Sequence, residues 1–355
     1  KAKGFLLFKK NNKILEGYFF VLFSLIPTSI ILGAAISLCN ILLINFSFII
    51  LLICTKEYKF LSNKTVKLIL ILCLYLIFNS IVSENFSIGA LRNFGFIRFL
   101  ILFCAFNYFF YHKSFFNKIL IIWSLTLFIL TIDAYIEIFT GKNILGYGEL
   151  YGKRIVSFFK DEPIVGGYIN SFYLIIVGYL FSLSHKFSSN YKYHILVVSV
   201  FFLSAILLTG ERSNTIKAIF GFLVFYFINN HFQIKQKLIS ILLIIILFIS
   251  LINTSDFIKL RYNGQFLKLM IGEFRSKIDE TYYTENYKAK NLPVVKLIYV
   301  DIYTSGFSVF KSHPFFGVGN KNYRLVACAK IKNPKYTCNT HPHQTYFEFL
   351  AEHGF

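Results

Sequence analysis

Long apolar blocks, each nearly free of charge and close to the roughly 20 residues that cross a bilayer, constrain this chain more than any other feature. They recur from Tyr18 to Ile252 with short polar punctuation between them. Backbone N–H and C=O groups in hydrocarbon must find partners within the protein, so blocks of this length fold as helices. The chain is 56% hydrophobic and 15% charged, with a mean hydropathy of +0.60, which excludes an ordinary soluble domain. The expected fold is all-α, a polytopic transmembrane helical bundle of about ten spans forming a single membrane domain over 1–355.

The blocks place spans at Tyr18 to Gly33, Ala35 to Ile53, Val66 to Val82, Phe94 to Tyr111, Phe116 to Phe139, Ile164 to Leu183, Tyr193 to Leu208, Thr215 to Ile228 and Leu238 to Ile252. A tenth begins at about Gln344. Residue 1 is Lys and Phe355 falls in a helix that has barely begun, so the sequence is expected to be a fragment of a longer chain, with closing spans beyond it. Lysine and arginine in short loops are retained on the cytoplasmic side. A cytoplasmic N-terminus puts fifteen of them inside and seven outside, and nine spans then leave the long loop 253–343 outside. The first block has no small-residue cleavage site after it and is read as a retained helix.

The formal net charge of +20 could suggest nucleic acid. The basic residues form neither one arm nor one face, however, but sit at block ends and in the long loop. Anionic lipid headgroups and a phosphorylated substrate explain them better.

Three stretches depart from the lipid-facing background. Thr209-Gly210-Glu211-Arg212-Ser213-Asn214 puts charge beside hydrocarbon, where it either faces a substrate or pairs locally. His313-Pro314-Phe315-Phe316-Gly317-Val318-Gly319 is either a plain turn or a loop whose amides reach phosphate oxygens. It follows an apolar segment, Val294 to Phe310, expected on or in the membrane surface. His341-Pro342-His343 puts two imidazoles at the start of a helix, and a neutral imidazole can take a proton from a sugar hydroxyl. With Cys338 and His313 it invites a zinc site, but no cysteine or carboxylate falls at the spacing of a closed one.

Together these stretches resemble the O-antigen ligase and polymerase superfamily of membrane glycosyltransferases. The tail resembles its His-Pro-His-Asn-x-Tyr-Leu-x-x-Leu-Ala-Glu-x-Gly signature, with Gln344 where Asn is usual. Pro314 to Arg324 resembles its Pro-x-x-Gly-x-Gly-x-x-Asn-Phe-Arg element, and Thr209 to Ser213 its Thr-Gly-x-Arg-Ser turn. The resemblance implies glycan transfer from an undecaprenyl diphosphate carrier to an acceptor hydroxyl at the outer face of the bacterial inner membrane, with no metal or nucleotide sugar. It makes His343 the candidate base and Arg212 and Arg261 the diphosphate holders. His341, Glu211 and Arg324 are candidates for supporting them. The loop 253–343 becomes a periplasmic catalytic loop, in which Cys328 and Cys338 are expected to join; the other four cysteines read as apolar filler.

Arg92 and Arg98, with Asp133 and Glu137 four residues apart on one helix face, are expected to form an intramembrane ion-pair network. A ligase acting on lipid A core is the leading reading, and a polymerase joining carrier-linked repeats is the alternative. A transporter or flippase for lipid-linked sugar would also need buried charge, but the paired broken helices of two related halves are missing.

Overall fold

A computed structural model gives the fold, and it describes residues 13–110, 113–148, 154–160, 162–183, 191–229, 232–267, 298–329 and 336–355. The described residues are helical, with no strand among them. In chain order the helices are α1 (Lys13–Ser24), α2 (Ile26–Leu32), α3 (Ala34–Thr55), α4 (Lys64–Ile81), α5 (Phe86–Gly95), α6 (Ile97–Phe110), α7 (Lys113–Thr140) and α8 (Val165–Leu183). They continue with α9 (Tyr191–Leu208), α10 (Arg212–Ile228), α11 (Ile234–Ile252), α12 (Asp256–Lys259), α13 (Ile298–Ser312), α14 (Tyr323–Ala329) and α15 (Thr345–His353). Between α12 and α13, Leu260–Leu267 winds as a π-helix.

Among the described residues, seven helical stretches are long and apolar enough to cross a membrane, or eight with the broken α1–α2 pair, against about ten expected. Two helices account for the difference: α10 has 17 residues, about 26 Å of rise, and α15 has 9, about 14 Å. The expected span Tyr18 to Gly33 is bent by 45°. Pro27 lies in the first turn of α2, where it lacks an N–H and crowds the preceding turn. The span expected from Phe94 starts earlier: α5 and α6 run almost continuously over Phe86–Phe109, and Tyr111 lies outside the described residues. Asn63 and Asn85 start α4 and α5 by accepting the N–H groups of Thr65 and Ser87. Arg92 therefore lies on a helix, ahead of the span expected from Phe94.

The chain divides into two compact units. One comprises Lys1–Lys10, Ile41–Tyr111 and Arg275–Phe355; the other comprises Asn11–Asn40 and His112–Phe274. In the second unit, α8, α9 and α10 bury their small and aromatic faces, with Tyr173, Phe202, Phe222 and Tyr226 almost fully enclosed. Lys237 of α11 is buried and donates from Nζ to the Phe227 carbonyl at 2.7 Å, occupying one of the acceptors that a helix C-terminus leaves open.

Asp133 and Glu137 share a face of α7, as their spacing requires, but they do something other than the expected ion pairing. Glu137 accepts from the amides of Val156 and Ser157 (3.0 and 2.6 Å), and Asp133 accepts from the Ile144 amide (3.0 Å) and the Ser157 hydroxyl. A loop beside hydrocarbon must find partners for its own amides, and these two carboxylates provide them. Arg92 and Arg98 belong to the other unit.

In the first unit, α13 packs against α14 and α15 with Ile302, Ser305 and Val309 buried, so its inner face meets protein. The start of the expected surface segment, from Val294, lies outside the described residues. Because Glu137 serves two buried amides, Glu137→Ala should destabilise the protein by about 1–3 kcal/mol. Thermal unfolding in detergent, compared with Glu162→Ala as a control on an exposed carboxylate, measures this.

Candidate functional site

The Thr209–Ser213 turn joins α9 to α10 and is built tightly. Gly210 has φ +75°, and a Cβ there would come within 3.0 Å of the Phe257 ring. A left-handed backbone and a close neighbour together call for glycine. The Glu211 carboxylate accepts from Gly166 N (2.7 Å), Gly167 N (3.0 Å) and Asn214 Nδ2 (2.6 Å). The two glycine amides belong to the first turn of α8, where free N–H groups and the helix dipole favour a negative charge. Gly166 also allows the approach, since a Cβ there would lie 2.7 Å from Thr209 Oγ1. Burial pushes the Glu211 carboxyl up from its usual range, while its hydrogen bonds and the charge of Arg154 pull it down.

Glu211 is thus a clamp between α8 and the turn, and it sets the direction in which the next residue, the half-buried Arg212, leaves the turn. Arg261, half-buried in the π-helical stretch, donates from Nε to the Gly210 carbonyl at 3.1 Å. Its neighbour Tyr262 is buried, with its hydroxyl 2.8 Å from Thr215 Oγ1 and donating to the Leu207 carbonyl at 2.9 Å. Burial raises the Tyr262 phenol to about 12, and Arg261, Glu211 and Arg212 all act on it electrostatically. Arg212, Arg261 and Glu211, 50 residues apart at the extremes, are therefore brought to one turn. Two guanidinium groups there suit a doubly charged phosphate ligand, because their forked donors pair with its oxygens.

No local pattern marks Arg154, Tyr262 or the Gly166-Gly167 pair, because each acts on Glu211 or its turn from a position far away in the chain.

The histidine element lies in the other unit. His343 is exposed and has φ +54°, a left-handed conformation that is uncommon for any residue but glycine, asparagine, aspartate or histidine. The His341 and His343 rings lie 4.2 Å apart, and His341 Nδ1 is 3.0 Å from Thr340 Oγ1. Partial desolvation and the His341 ring lower the His343 imidazole below its usual 6.5, with Glu348 acting in the opposite direction. Gln344 caps α15 by accepting the Phe347 amide at 2.8 Å, so its side chain does the capping work open to an asparagine. Arg324 is exposed in the first turn of α14.

The Gly-x-Gly segment is a plain turn and not a phosphate cradle. Its amides are already engaged: Gly317 N donates to His313 O, Val318 N to Ala351 O, Gly319 N to Glu352 O and Asn320 N to Asn79 Oδ1. A Cβ at 317 would lie 2.3 Å from the Glu352 backbone and one at 319 would lie 2.1 Å from Ser83 Cβ. The glycines are there for close docking. The buried Glu352 carboxylate accepts from the Lys321 and Tyr323 amides at the start of α14. Cys328 of α14 and Cys338, three residues before His341, are joined by a disulfide. Among the described residues, no three of His, Cys, Asp and Glu gather as metal ligands.

These elements define a polytopic helical membrane protein with a paired-arginine turn and a histidine element at a helix start. Residues 197–355 match the family model described as O-antigen ligase. No curated protein and no solved structure matches the chain.

The disulfide closes a short loop next to the histidines. Cys338→Ser should cost about 2–3 kcal/mol. Wild-type Cys328 and Cys338 should resist thiol labelling in intact cells until reductant is added. Labelling without reductant, with unchanged gel mobility, would contradict the bond.

Proposed function

We propose that the protein is a membrane glycosyltransferase that moves a glycan from an undecaprenyl-diphosphate carrier to an acceptor hydroxyl, most simply that of lipid A core. The observation carrying this reading is the family match over 197–355, which takes in Arg212, Arg261 and His343. The convergence of Arg261 on the Arg212 turn and the left-handed backbone of His343 support it.

In this reading the acceptor hydroxyl gives its proton to the His343 imidazole as its oxygen bonds to the anomeric carbon. The bond from that carbon to the carrier's terminal phosphate oxygen breaks, and the electron pair leaves with the oxygen. Arg212 and Arg261 bind the diphosphate and neutralise the charge that builds on it. His341, Glu211 and Arg324 support these groups, and neither a metal nor a nucleotide sugar takes part. The protein sits in the bacterial inner membrane with its N-terminus cytoplasmic and 253–343 periplasmic. The Cys328–Cys338 bond supports that placement, because disulfides persist in oxidising compartments.

His343→Ala and Arg212→Ala should abolish transfer while the protein stays at its normal level in the membrane; chelator should leave transfer unchanged. The gene, expressed in strains lacking either a ligase or a polymerase, should restore lipopolysaccharide attachment in the first. Restored chain length in the second would instead assign the polymerase role.

A base must be unprotonated to act, and the His343 imidazole is lowered from 6.5. The rate should therefore hold steady from pH 8 down to about 6.5 and fall below it as the imidazole takes up its proton. A rate that climbs as pH drops through this range would contradict the role.

A further inference from the structure

The left-handed backbone of His343 is held from one side by a notch in α13. Left-handed conformations at residues other than glycine persist only where the surroundings over-determine them. After His343, Gln344 caps α15, and Phe347 in that helix packs on Tyr303 and Phe307 of α13 with ring centroids at 5.7 and 6.2 Å. Before His343, Pro342 is buried against Gly306.

Gly306 lies in the interior of a 15-residue helix, where glycine costs about 1 kcal/mol relative to alanine. A Cβ at 306 would stand 2.9 Å from Pro342 Cβ, 3.0 Å from Pro342 Cγ and 3.2 Å from Phe347 Cβ. The first two neighbours belong to a rigid ring that cannot swing aside. The notch therefore fits the residue next to His343 and the first turn of the helix that follows it. The neighbouring Ser305 fastens the same region, with Oγ accepting the Thr337 amide at 3.0 Å and the Tyr323 hydroxyl donating to it at 2.8 Å.

We infer that Gly306 is a positioning residue: by leaving room for Pro342 it holds His343 in its left-handed conformation. This rests on the proposed role of His343 as base. Gly306 itself touches no reacting atom, and its effect passes through Pro342. A methyl group at 306 pushes the Pro342 ring outward and lets His343 relax, although alanine is the better helix former.

The test compares full-length wild type, Gly306→Ala, Pro342→Ala and His343→Ala in membranes, reading both transfer kinetics and histidine acylation by diethyl pyrocarbonate, located by peptide mass spectrometry. Gly306→Ala should lower kcat about a hundredfold, as expected for a displacement on the order of 1 Å, with KM for the donor unchanged. It should also change the acylation rate of His343 while leaving that of His194, in the other unit, as in wild type. Pro342→Ala, which keeps α13 intact, should shift both readouts the same way, and it carries the test if Gly306→Ala fails to accumulate. Wild-type kcat and wild-type His343 acylation in Gly306→Ala, with His343→Ala inactive, would overturn the inference. So would a loss of protein level with unaltered kcat per molecule. Altered His343 acylation together with a fully active His343→Ala would uphold the seat and overturn the proposed function instead.

Discussion

The Glu211 carboxylate, set against the Gly166 and Gly167 amides at 2.7 and 3.0 Å, is the interaction on which the arginine turn depends. Helices satisfy their own backbones, but the turns that join them do not, and amides buried in a turn must find partners within the protein. A carboxylate that accepts backbone amides solves this locally. Glu211 does so for the first turn of α8, while Glu137 and Asp133 do so for the loop after α7. Each carboxyl group lies partly or fully out of contact with solvent, and its hydrogen bonds to the turn offset the cost of that burial.

The first unit uses neutral groups for the same purpose. Asn79 donates to the carbonyls of Phe316 and Glu352 and accepts the Asn320 amide, while Asn93 accepts from Asn320 Nδ2 and donates to Ser80 Oγ and the Leu76 carbonyl. This buried amide network fastens α4 and α5 to the turn 316–320, and that turn docks on the end of α15. The glycines at 317 and 354 matter because backbone meets backbone there, and the one at 319 because Ser83 stands against it, leaving no room for a Cβ. The histidine element stands on a junction of this kind, with the Cys328–Cys338 bond beside it.

Much of the architecture was legible in the chain. Apolar block length marks most of the helices, because span length is set by the bilayer and leaves a uniform signature. Gln344 marks the start of α15, and the side-chain oxygen that caps it is visible in the residue type. The misreadings have local causes. Pro27 divides a block that hydropathy alone runs together. Asn85 starts a helix eight residues before the apolar signal at Phe94 becomes strong. Asp133 and Glu137 looked like partners for arginines because sequence spacing cannot show a loop folding back to offer its amides.

Apolar block length and residue chemistry by themselves determined that this protein is a many-helix membrane protein and which charged residues stand out from its apolar background. Both are properties of short stretches, and a short stretch carries them wherever it folds. Only the tertiary structure decided that Arg261 reaches the Arg212 turn, that the Gly-x-Gly amides are already engaged, and that Gly306 faces Pro342. Each of these joins residues tens to hundreds of positions apart, and such a contact depends on chain paths that no local pattern encodes.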